Sequence, residues 1–490
     1  MVWKEYDGGQ SGKGSFTSLL NLDRTRAGLH KVYFSGIGGI GVSGLAHLFL
    51  DKGWSVSGAD MDPGASTVCE LIERGARVYS QHKAENISEM RPDLLIYSSA
   101  VRRESEDIRE ALHLGIPLVH RAEALSYMMK DYRGVCVAGM HGKTTVSSIL
   151  SWCLSRFDSG VGYAVGAQCA QLMPHARLPR VKGKGWFIAE TDESDGSLLN
   201  FYPEQAFILN LDRDHLDYYS GREMIEQTFS QFAGQISGKI FCCADNPWVM
   251  QLKEYSFKER GITFGVNPRA DYRIGSIKLN KNSFELITPS GEVKEFQIQL
   301  LGEHNICNAA GVASFLLEAG YSAESIAEGL KSFKGARRRQ ELLYKDDNYR
   351  IIEDYGHHPV EIEATIRAIR QQGILKDGRL LVAFQPHRFS RMQKLLSEFA
   401  SCFTGVDQLF LTDVYSASED PIPGVSGQML ANAIQERGQA VEYRQKLDDV
   451  RMAIESTLRP GDTVLFLGAG DISNLAHQYV DLLKHSKEEK

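Results

Sequence analysis

The chain has 490 residues, a formal net charge of −7 and a sequence pI of about 6.1. Hydrophobic residues make up 43% and charged residues 24%, a composition typical of a globular protein with an ample core. At roughly 100–200 residues per domain, the length predicts two to four domains. The sequence has no basic stripe, and no apolar run approaches the roughly 18 residues of a membrane helix. We therefore expect neither nucleic acid nor a membrane as a partner.

The amino-terminal segment and the cysteines indicate the compartment. Residues 1–15 are polar and contain no apolar h-region, which argues against a secretory signal. The eight cysteines are scattered, lie mostly in apolar runs and show no CxxC or Cys/His ligand spacing. We interpret them as buried free thiols and expect a cytoplasmic protein.

The first part of the chain alternates strands and helices. Helical segments such as Gly41–Lys52 and Glu104–Leu114 separate short apolar strands, which predicts a parallel sheet covered on both faces, a Rossmann-like α/β domain over residues 28–130. The predicted strands are Lys31–Ile37, Ser55–Asp60, Arg77–Tyr79, Asp93–Ser99 and Pro117–His120.

A glycine-rich loop follows the first of these strands. Gly36, Gly38 and Gly41 fit G-x-G-x-x-G between a strand and a helix, and Asp60 ends the next strand about 20 residues on. The glycines would let the backbone approach a diphosphate at a helix N-terminus, and Asp60 could bond a ribose hydroxyl. The pattern indicates a nucleotide diphosphate without specifying NAD. A strand–helix turn without a ligand is the alternative.

A second, more specific loop opens the next α/β unit, which we place at residues 131–334. Gly142, Lys143 and Thr144 form the phosphate-binding triplet, with Lys143 for the β- and γ-phosphates and Thr144 for Mg²⁺. The preceding glycine is Gly139, so the loop is shorter than the common ATPase form. The predicted strands of this unit are Gly134–Gly139, Trp186–Glu190, Ala206–Leu211 and Lys239–Cys243.

Acidic and histidine side chains follow two strands of this second unit. Because the carboxyl ends of parallel strands share one edge of a sheet, we expect these side chains to lie beside the phosphate-binding loop and to serve a metal. Solvated acidic turns are the alternative for either segment alone. The residues are Glu190, Asp192, Glu193 and Asp195 after one strand, and Asp214, His215 and Asp217 after the other.

The remaining chain contains a meander and a third α/β unit. Residues 272–301 alternate, with turns at LNKNS and TPSGE, which predicts an antiparallel meander attached to the second sheet. Helices are expected at 304–319 and 323–332. The third unit, residues 335–490, is again Rossmann-like. Its predicted strands are Arg350–Glu353, Leu380–Phe384, Gln408–Leu411 and Thr463–Leu467.

Eight motifs in order resemble the Mur ligases of peptidoglycan synthesis, with coverage from about Lys31 to the end. They are GIGGIGVSG, GMHGKTT, AETDESD, DHLD, GEHNICNAAG, EDYGHHPVEI, FQPHRFSR and LTDVYSASEDPIPG. The resemblance implies that the first glycine loop holds the UDP of a UDP-sugar, the second holds ATP, and the third domain brings the amino acid and closes over the nucleotide. We expect the joint near Phe333–Glu341, where the predicted helices end and a glycine precedes the basic cluster.

The activity implied by this resemblance is an ATP-dependent ligation through an acyl phosphate. The lactyl carboxylate of UDP-N-acetylmuramate would be joined to L-alanine, with Mg²⁺ or Mn²⁺ as cofactor and a monomer or weak homodimer as the assembly. Two alternatives stay open: a ligase of the same family that recycles a whole tripeptide, and a nicotinamide-dependent dehydrogenase suggested by the first loop alone.

The resemblance also implies roles for individual residues. The metal ligands would be Thr144, Glu190 and His215, and the catalytic residues Lys143, Glu190, His215, Arg339 and Asp354. ATP would contact Gly139, Gly142, Lys143, Thr144, Thr145, Asn305, Arg339 and Asp354, with Arg337 and Arg338 as alternatives to Arg339. The UDP-sugar would contact Gly36, Gly38, Gly39, Gly41, Asp60 and Ser99. The amino acid would contact Tyr355, His357, His387, Arg388 and Arg391.

One feature departs from several Mur ligases. They carry a carbamylated lysine shortly after the DH histidine, whereas residues 216–238 contain no lysine. The alanine-adding branch is similar in lacking it, so the second metal site would rely on other groups.

Overall fold

The computed structural model describes residues 30–488, apart from residues 159, 182, 184, 214–217, 372, 374, 376, 377 and 418. The predicted site residue His215, its neighbours Asp214 and Asp217, and the amino-terminal segment therefore lie outside the described residues. The chain divides into two compact units. The first comprises residues 30–274, Leu286–Lys294 and Ala309–Phe333; the second comprises Gly275–Glu285, Glu295–Asn308 and the chain from Lys334 onward.

The first unit begins with a five-stranded parallel sheet in the order β3-β2-β1-β4-β5. Strand order reverses between β1 and β4, which is where open α/β sheets bind ligands. The strands are β1 (Lys31–Ser35), β2 (Ser55–Ala59), β3 (Arg77–Tyr79), β4 (Leu94–Tyr97) and β5 (Leu118–His120). The helices are α1 (Ile40–Asp51), α2 (Ser66–Glu73), α3 (Ala84–Met90), α4 (Glu106–His113) and α5 (Arg121–Met129).

The central sheet follows in the same unit, in the order β13-β12-β11-β10-β6-β9-β7-β8. Its strands are β6 (Arg133–Ala138), β7 (Gly162–Ala164), β8 (Ala176–Arg177), β9 (Trp186–Glu190), β10 (Gln205–Ile208), β11 (Ile240–Cys243), β12 (Gly261–Gly265) and β13 (Tyr272–Lys278); β14 (Ser283–Ile287) and β15 (Val293–Gln297) come next in the chain. The helices are α6 (Lys143–Phe157), α7 (Arg222–Gln235), α8 (Pro247–Ser256), α9 (Glu303–Glu318) and α10 (Ala323–Ser332). Short 3-10 turns occupy Ser197–Asn200, Lys258–Arg260 and Leu279–Lys281.

The second unit contains a six-stranded sheet in the order β16-β17-β21-β18-β19-β20, in which only the β16 pairing is antiparallel. Its strands are β16 (Glu341–Lys345), β17 (Arg350–Asp354), β18 (Leu380–Phe384), β19 (Gln408–Leu411), β20 (Val441–Tyr443) and β21 (Thr463–Leu467). The helices are α11 (Pro359–Gln371), α12 (Phe389–Lys394), α13 (Leu396–Phe399), α14 (Gly427–Glu436), α15 (Leu447–Thr457) and α16 (Ile472–Glu488).

Buried strands explain why these sheets form. The middle strands of each sheet are apolar on both faces: Val135 and Cys136 in β6, like Leu465 and Phe466 in β21, have no exposed surface. Strands covered by helices on both faces read as continuous apolar runs, so they were recognisable in the sequence. The predicted mixed α/β architecture with parallel sheets is confirmed.

The differences from prediction are short or edge elements. Strands β7, β8, β12, β16 and β20 were not predicted. Of these, β7, β8 and β20 have only two or three residues, which leave little periodicity to detect. The meander strands β13, β14 and β15 lie where the alternation placed them. The first of them joins the central sheet by a parallel pairing of Tyr272 with Phe264. The prediction of an antiparallel meander attached to this sheet did not specify the direction of that pairing.

Candidate active site

The first glycine loop lies between β1 and α1, at the switch point of the first sheet. Gly36 has a φ of +76°, which favours glycine, and its N–H donates to the carbonyl of Ala59 over 2.9 Å. A Cβ at Gly38 would lie 2.8 Å from the carboxylate of Asp60, and the Gly38 N–H donates to that carboxylate over 2.8 Å. Asp60 thus fixes the shape of the loop, in addition to the ribose contact predicted for it.

The second glycine loop joins β6 to α6, and its lysine is the first residue of the helix. Lys143 Nζ donates to the carbonyls of Gly139 (2.7 Å) and Met140 (3.2 Å) and to Glu193 Oε1 (2.7 Å). Gly139 and Gly142 have φ values of +134° and +85°, so both need the freedom of glycine. An ammonium group has three N–H donors, and here each has an acceptor.

Thr144 and Glu190 form a pair of oxygen ligands at the start of α6. Thr144 Oγ1 donates to Glu190 Oε1 over 3.0 Å. Adjacent ligands of an octahedral Mg²⁺, at about 2.1 Å from the ion, are about 3.0 Å apart, so the two oxygens fit one edge of such a site. Glu190 Oε2 accepts from the N–H of Gly166 over 3.0 Å, and a Cβ at Gly166 would lie 2.4 Å from the carboxylate and displace it.

The acidic segment after β9 connects the two loops. Lys143 contacts Glu193, whereas Asp192 Oδ2 accepts from the guanidinium of Arg121 over 2.5 Å. Asp195 accepts from the hydroxyl of Ser99 over 2.8 Å. These partners come from the first and central sheets, so the predicted convergence of the acidic segment on the phosphate-binding loop is present.

Electrostatics keep Lys143 and Asp192 ionised. Burial opposes the charge of Lys143, but the carboxylates of Glu193, Asp192 and Glu190 outweigh it and raise the pKa of Lys143. Burial likewise opposes the charge of Asp192, but Arg121 and Lys143 lower the pKa of Asp192 well below its usual range. Asp192 is therefore the carboxylate that both cations stabilise.

In the second unit, the predicted arginines differ in their surroundings. Arg338 has a φ of +59°, its Nε lies 3.0 Å from the buried carboxylate of Glu353, and it donates to the carbonyl of Gly468 over 2.8 Å. Arg338 thereby links the carboxyl ends of the neighbouring strands β17 and β21. Arg339 lies with its guanidinium 5.1 Å from the ring centre of Tyr355 and lowers the pKa of Asp354 by its charge.

Asp354 is buried at the end of β17, where the backbone N–H groups of Gln340 (2.9 Å) and Gly356 (2.8 Å) donate to its carboxylate. Burial nevertheless raises the pKa of Asp354 to about 6, because the opposing effects of Arg339 and the two N–H groups are smaller. Asn305, which was predicted to contact ATP, donates to the carbonyl of Leu301 over 2.8 Å.

The residues that are predicted to bind the amino acid lie close together in the second unit. The rings of His357 and His387 have centres 5.6 Å apart, and His387 stacks on Tyr415 at 5.6 Å. Arg391 lies 3.4 Å from His387 Nδ1. Burial, followed by His357 and Arg391, lowers the pKa of His387 to about 2, so the ring is neutral at physiological pH.

Sequence reasoning missed Arg121, Gly166 and Tyr415. Arg121 directly follows β5, so the rule that ligands gather at the carboxyl ends of parallel strands could have identified it. Gly166 and Tyr415 act through contacts with Glu190 and His387, and no local pattern predicts contacts of that kind.

Together, two strand-to-helix glycine loops, a lysine, paired oxygen ligands and an acidic strand end define an enzyme that uses a nucleoside triphosphate. Three family models match the chain in order: Mur ligase family, catalytic domain, at residues 31–133; Mur ligase middle domain at 137–316; and Mur ligase, glutamate ligase domain, at 338–470. The chain belongs to the Mur ligase family.

Relatives agree over nearly the whole chain. UDP-N-acetylmuramate–L-alanine ligases of Carboxydothermus hydrogenoformans and Nitratidesulfovibrio vulgaris are each 38% identical, covering 91% and 92% of this chain and 95% and 98% of theirs. The crystal structure of UDP-N-acetylmuramate-alanine ligase from Thermotoga maritima is similar in fold, with a TM-score of 0.79 and 24% identity over 93% of this chain and 99% of that one. A murein peptide ligase from Psychrobacter arcticus has a TM-score of 0.71 and 20% identity, with coverages of 92% and 98%.

Proposed function

We propose that this chain is a ligase that joins the lactyl carboxylate of UDP-N-acetylmuramate to L-alanine, with ATP as the energy source, in peptidoglycan precursor synthesis. The observation that carries the proposal is the likeness, at 38% identity over 91% of the chain, to a relative that bears this activity in its name. The described helices contain none long and apolar enough to cross a membrane. We place the reaction in the cytoplasm and the domains at residues 28–130, 131–334 and 335–490.

The chemistry requires activation of a carboxylate. Transfer of the γ-phosphoryl group of ATP gives an acyl phosphate and ADP; attack by the alanine amine then forms the amide and releases phosphate. Lys143 would bind the β- and γ-phosphate oxygens, which would replace protein oxygens that it now contacts. Arg391 would bind the alanine carboxylate, beside the neutral ring of His387.

A divalent cation fits the second loop. Arg121 and Lys143 supply two positive charges against Glu190, Asp192, Glu193 and Asp195, so the described part of the site keeps an excess of negative charge. Thr144 and Glu190 would hold Mg²⁺, with His215 as a further predicted ligand outside the described residues. When bound, the ion would offset the charge of the phosphates as they approach these carboxylates.

A phosphate-release assay with ATP, Mg²⁺ and UDP-N-acetylmuramate tests the proposal, with L-alanine, the recycled tripeptide or neither as the amine. We expect phosphate release that depends on L-alanine and on the UDP-sugar together. Faster turnover with the tripeptide would favour the recycling ligase. If neither L-alanine nor the tripeptide supports phosphate release and NADH binds saturably, the dehydrogenase alternative is favoured.

A further inference from the structure

Arg121 lies between the two glycine loops and belongs to neither. It is the first residue of α5, directly after β5, and therefore stands at the carboxyl edge of the first sheet. Its guanidinium NH1 lies 3.7 Å from the position that a Cβ on Gly41 would occupy, in the first turn of α1. Its NH2 donates to Asp192, in the acidic segment after β9. Glu193 of the same segment accepts a hydrogen bond from Lys143. Arg121 thus reaches the first loop from one side and the second loop through Asp192.

The start of α1 is suited to an anion. Gly39 is its N-cap and no side chain caps this helix start. Uncapped N–H groups and the helix dipole both favour negative charge in the first turn. A guanidinium beside that turn adds a full positive charge with planar donors that match phosphate oxygens. The side chain of Arg121 is 22% exposed, so a ligand can reach it although Asp192 already contacts it.

We propose that Arg121 is a further substrate-binding residue, whose guanidinium contacts the diphosphate of the UDP-sugar at the start of α1, and that Asp192 is the positioning residue that holds it there. This inference rests on the proposed function, because it assumes that the first loop binds UDP. The diphosphate is favoured over the lactyl carboxylate because Gly41, the nearest part of the loop, lies in the first turn of the helix.

Calorimetric binding of UDP and of UDP-N-acetylmuramate to the full chain, without ATP or alanine, tests the inference. Arg121→Ala should weaken both ligands at least tenfold, and by similar factors, while affinity for a non-hydrolysable ATP analogue with Mg²⁺ changes less than threefold. Arg133→Ala is the matched control, since Arg133 pairs with Glu204 at the opposite end of the central strands. It should leave both ligand affinities within twofold of wild type.

Asp192→Asn separates positioning from direct binding. Because Asp192 acts through Arg121, the double variant should bind UDP no more weakly than Arg121→Ala alone. Additive losses would overturn the positioning role. If Arg121→Ala fails to fold, Arg121→Lys replaces it and should weaken UDP at least threefold, since lysine cannot reproduce the planar donors.

The remaining outcomes are distinct. If the wild type binds UDP and a folded Arg121 variant binds it with unchanged affinity, the inference is overturned and the proposed function stays intact. Weakened binding of UDP-N-acetylmuramate with unchanged binding of UDP would also overturn it, because the contact would then be to the sugar portion. A wild type that binds neither ligand would reject the proposed function together with the inference.

Discussion

Lys143 and Glu193 form an ion pair 2.7 Å long, in which the carboxylate has no exposed surface and the lysine side chain is 15% exposed. With the carbonyls of Gly139 and Met140, Glu193 completes the acceptors of the ammonium group. Phosphate oxygens must therefore replace at least one of these acceptors before Lys143 can bind ATP. The lysine is held in place, charged, at the first turn of α6.

Replacing Lys143 tests the assignment of the second loop. Lys143→Ala should lower kcat by about 10²–10³, because removing one preorganised electrostatic partner commonly has that effect. The KM for UDP-N-acetylmuramate should change less than about threefold, since that substrate is anchored by a different loop. Steady-state kinetics with each substrate varied in turn measure both values. An equal loss of affinity for ATP and for the UDP-sugar would contradict the separation of the loops.

Glu193→Gln should lower the KM for ATP by about fivefold, because a negative charge close to the phosphates is removed and Lys143 exchanges a neutral acceptor more easily. The same substitution should lower kcat, since the lysine is less firmly placed. Glu204→Gln is the control: it breaks another carboxylate–cation pair, with Arg133, before β10. A higher KM for ATP in Glu193→Gln would indicate that Glu193 helps nucleotide binding directly.

The raised pKa of Asp354 predicts a pH-dependent stability. Its folded-state pKa of about 6 exceeds the ordinary value of 3.8, so the folded protein binds the proton more tightly. The stabilisation is complete below pH 4 and is lost as pH rises through 6. It amounts to roughly 3 kcal/mol for a shift of this size. Urea unfolding of the wild type and of Asp354→Asn at pH 4 to 8 measures the difference.

We expect Asp354→Asn to gain stability relative to the wild type as pH rises from 4 to 7. Thr365→Val is the control, because it removes a hydroxyl 3.4 Å from the same carboxylate without removing a titrating group. A wild-type profile that parallels Asp354→Asn throughout this range would show that Asp354 ionises normally.

Arg388 has an unfavourable backbone conformation, with φ of +72° and ψ of 132°, held by a hydrogen bond of 2.9 Å from its N–H to the carbonyl of Tyr415. Such strain costs of order 1–3 kcal/mol and persists where the surroundings impose it. Arg388→Gly should therefore raise the melting temperature relative to Arg388→Ala by a few degrees. Both variants should raise the KM for alanine, because both lack the guanidinium.

Arg367→Gly provides the opposite control. Arg367 lies on α11 with a half-exposed side chain, where glycine should lower stability by about 1 kcal/mol. Thermal unfolding of the three variants, with alanine kinetics for the two at position 388, tests the strain. If Arg388→Gly is less stable than Arg388→Ala, the backbone of Arg388 is not strained.

The sequence by itself determined the sheets, the glycine loops and the family, because each depends on local patterns. Buried parallel strands are continuous apolar runs, and the glycines of the loops are required by backbone conformation within a few residues. The position of Lys143 at the start of a helix was predictable for this reason. Short edge strands such as β8 were not, because hydrogen bonds to neighbouring strands define them and local periodicity does not.

Only the tertiary structure decided which side chains meet. Lys143 and Glu193 are 50 residues apart, and Arg121 and Asp192 are 71 apart. Nothing in the local sequence chooses Glu193 over Asp192 as the partner of Lys143. Two of the three consecutive arginines differ for the same reason: Arg338 is bound to Glu353 and Gly468, whereas the charge of Arg339 acts on Asp354. Charged partners are selected by distance and burial in the folded protein, and the register of the strands sets both.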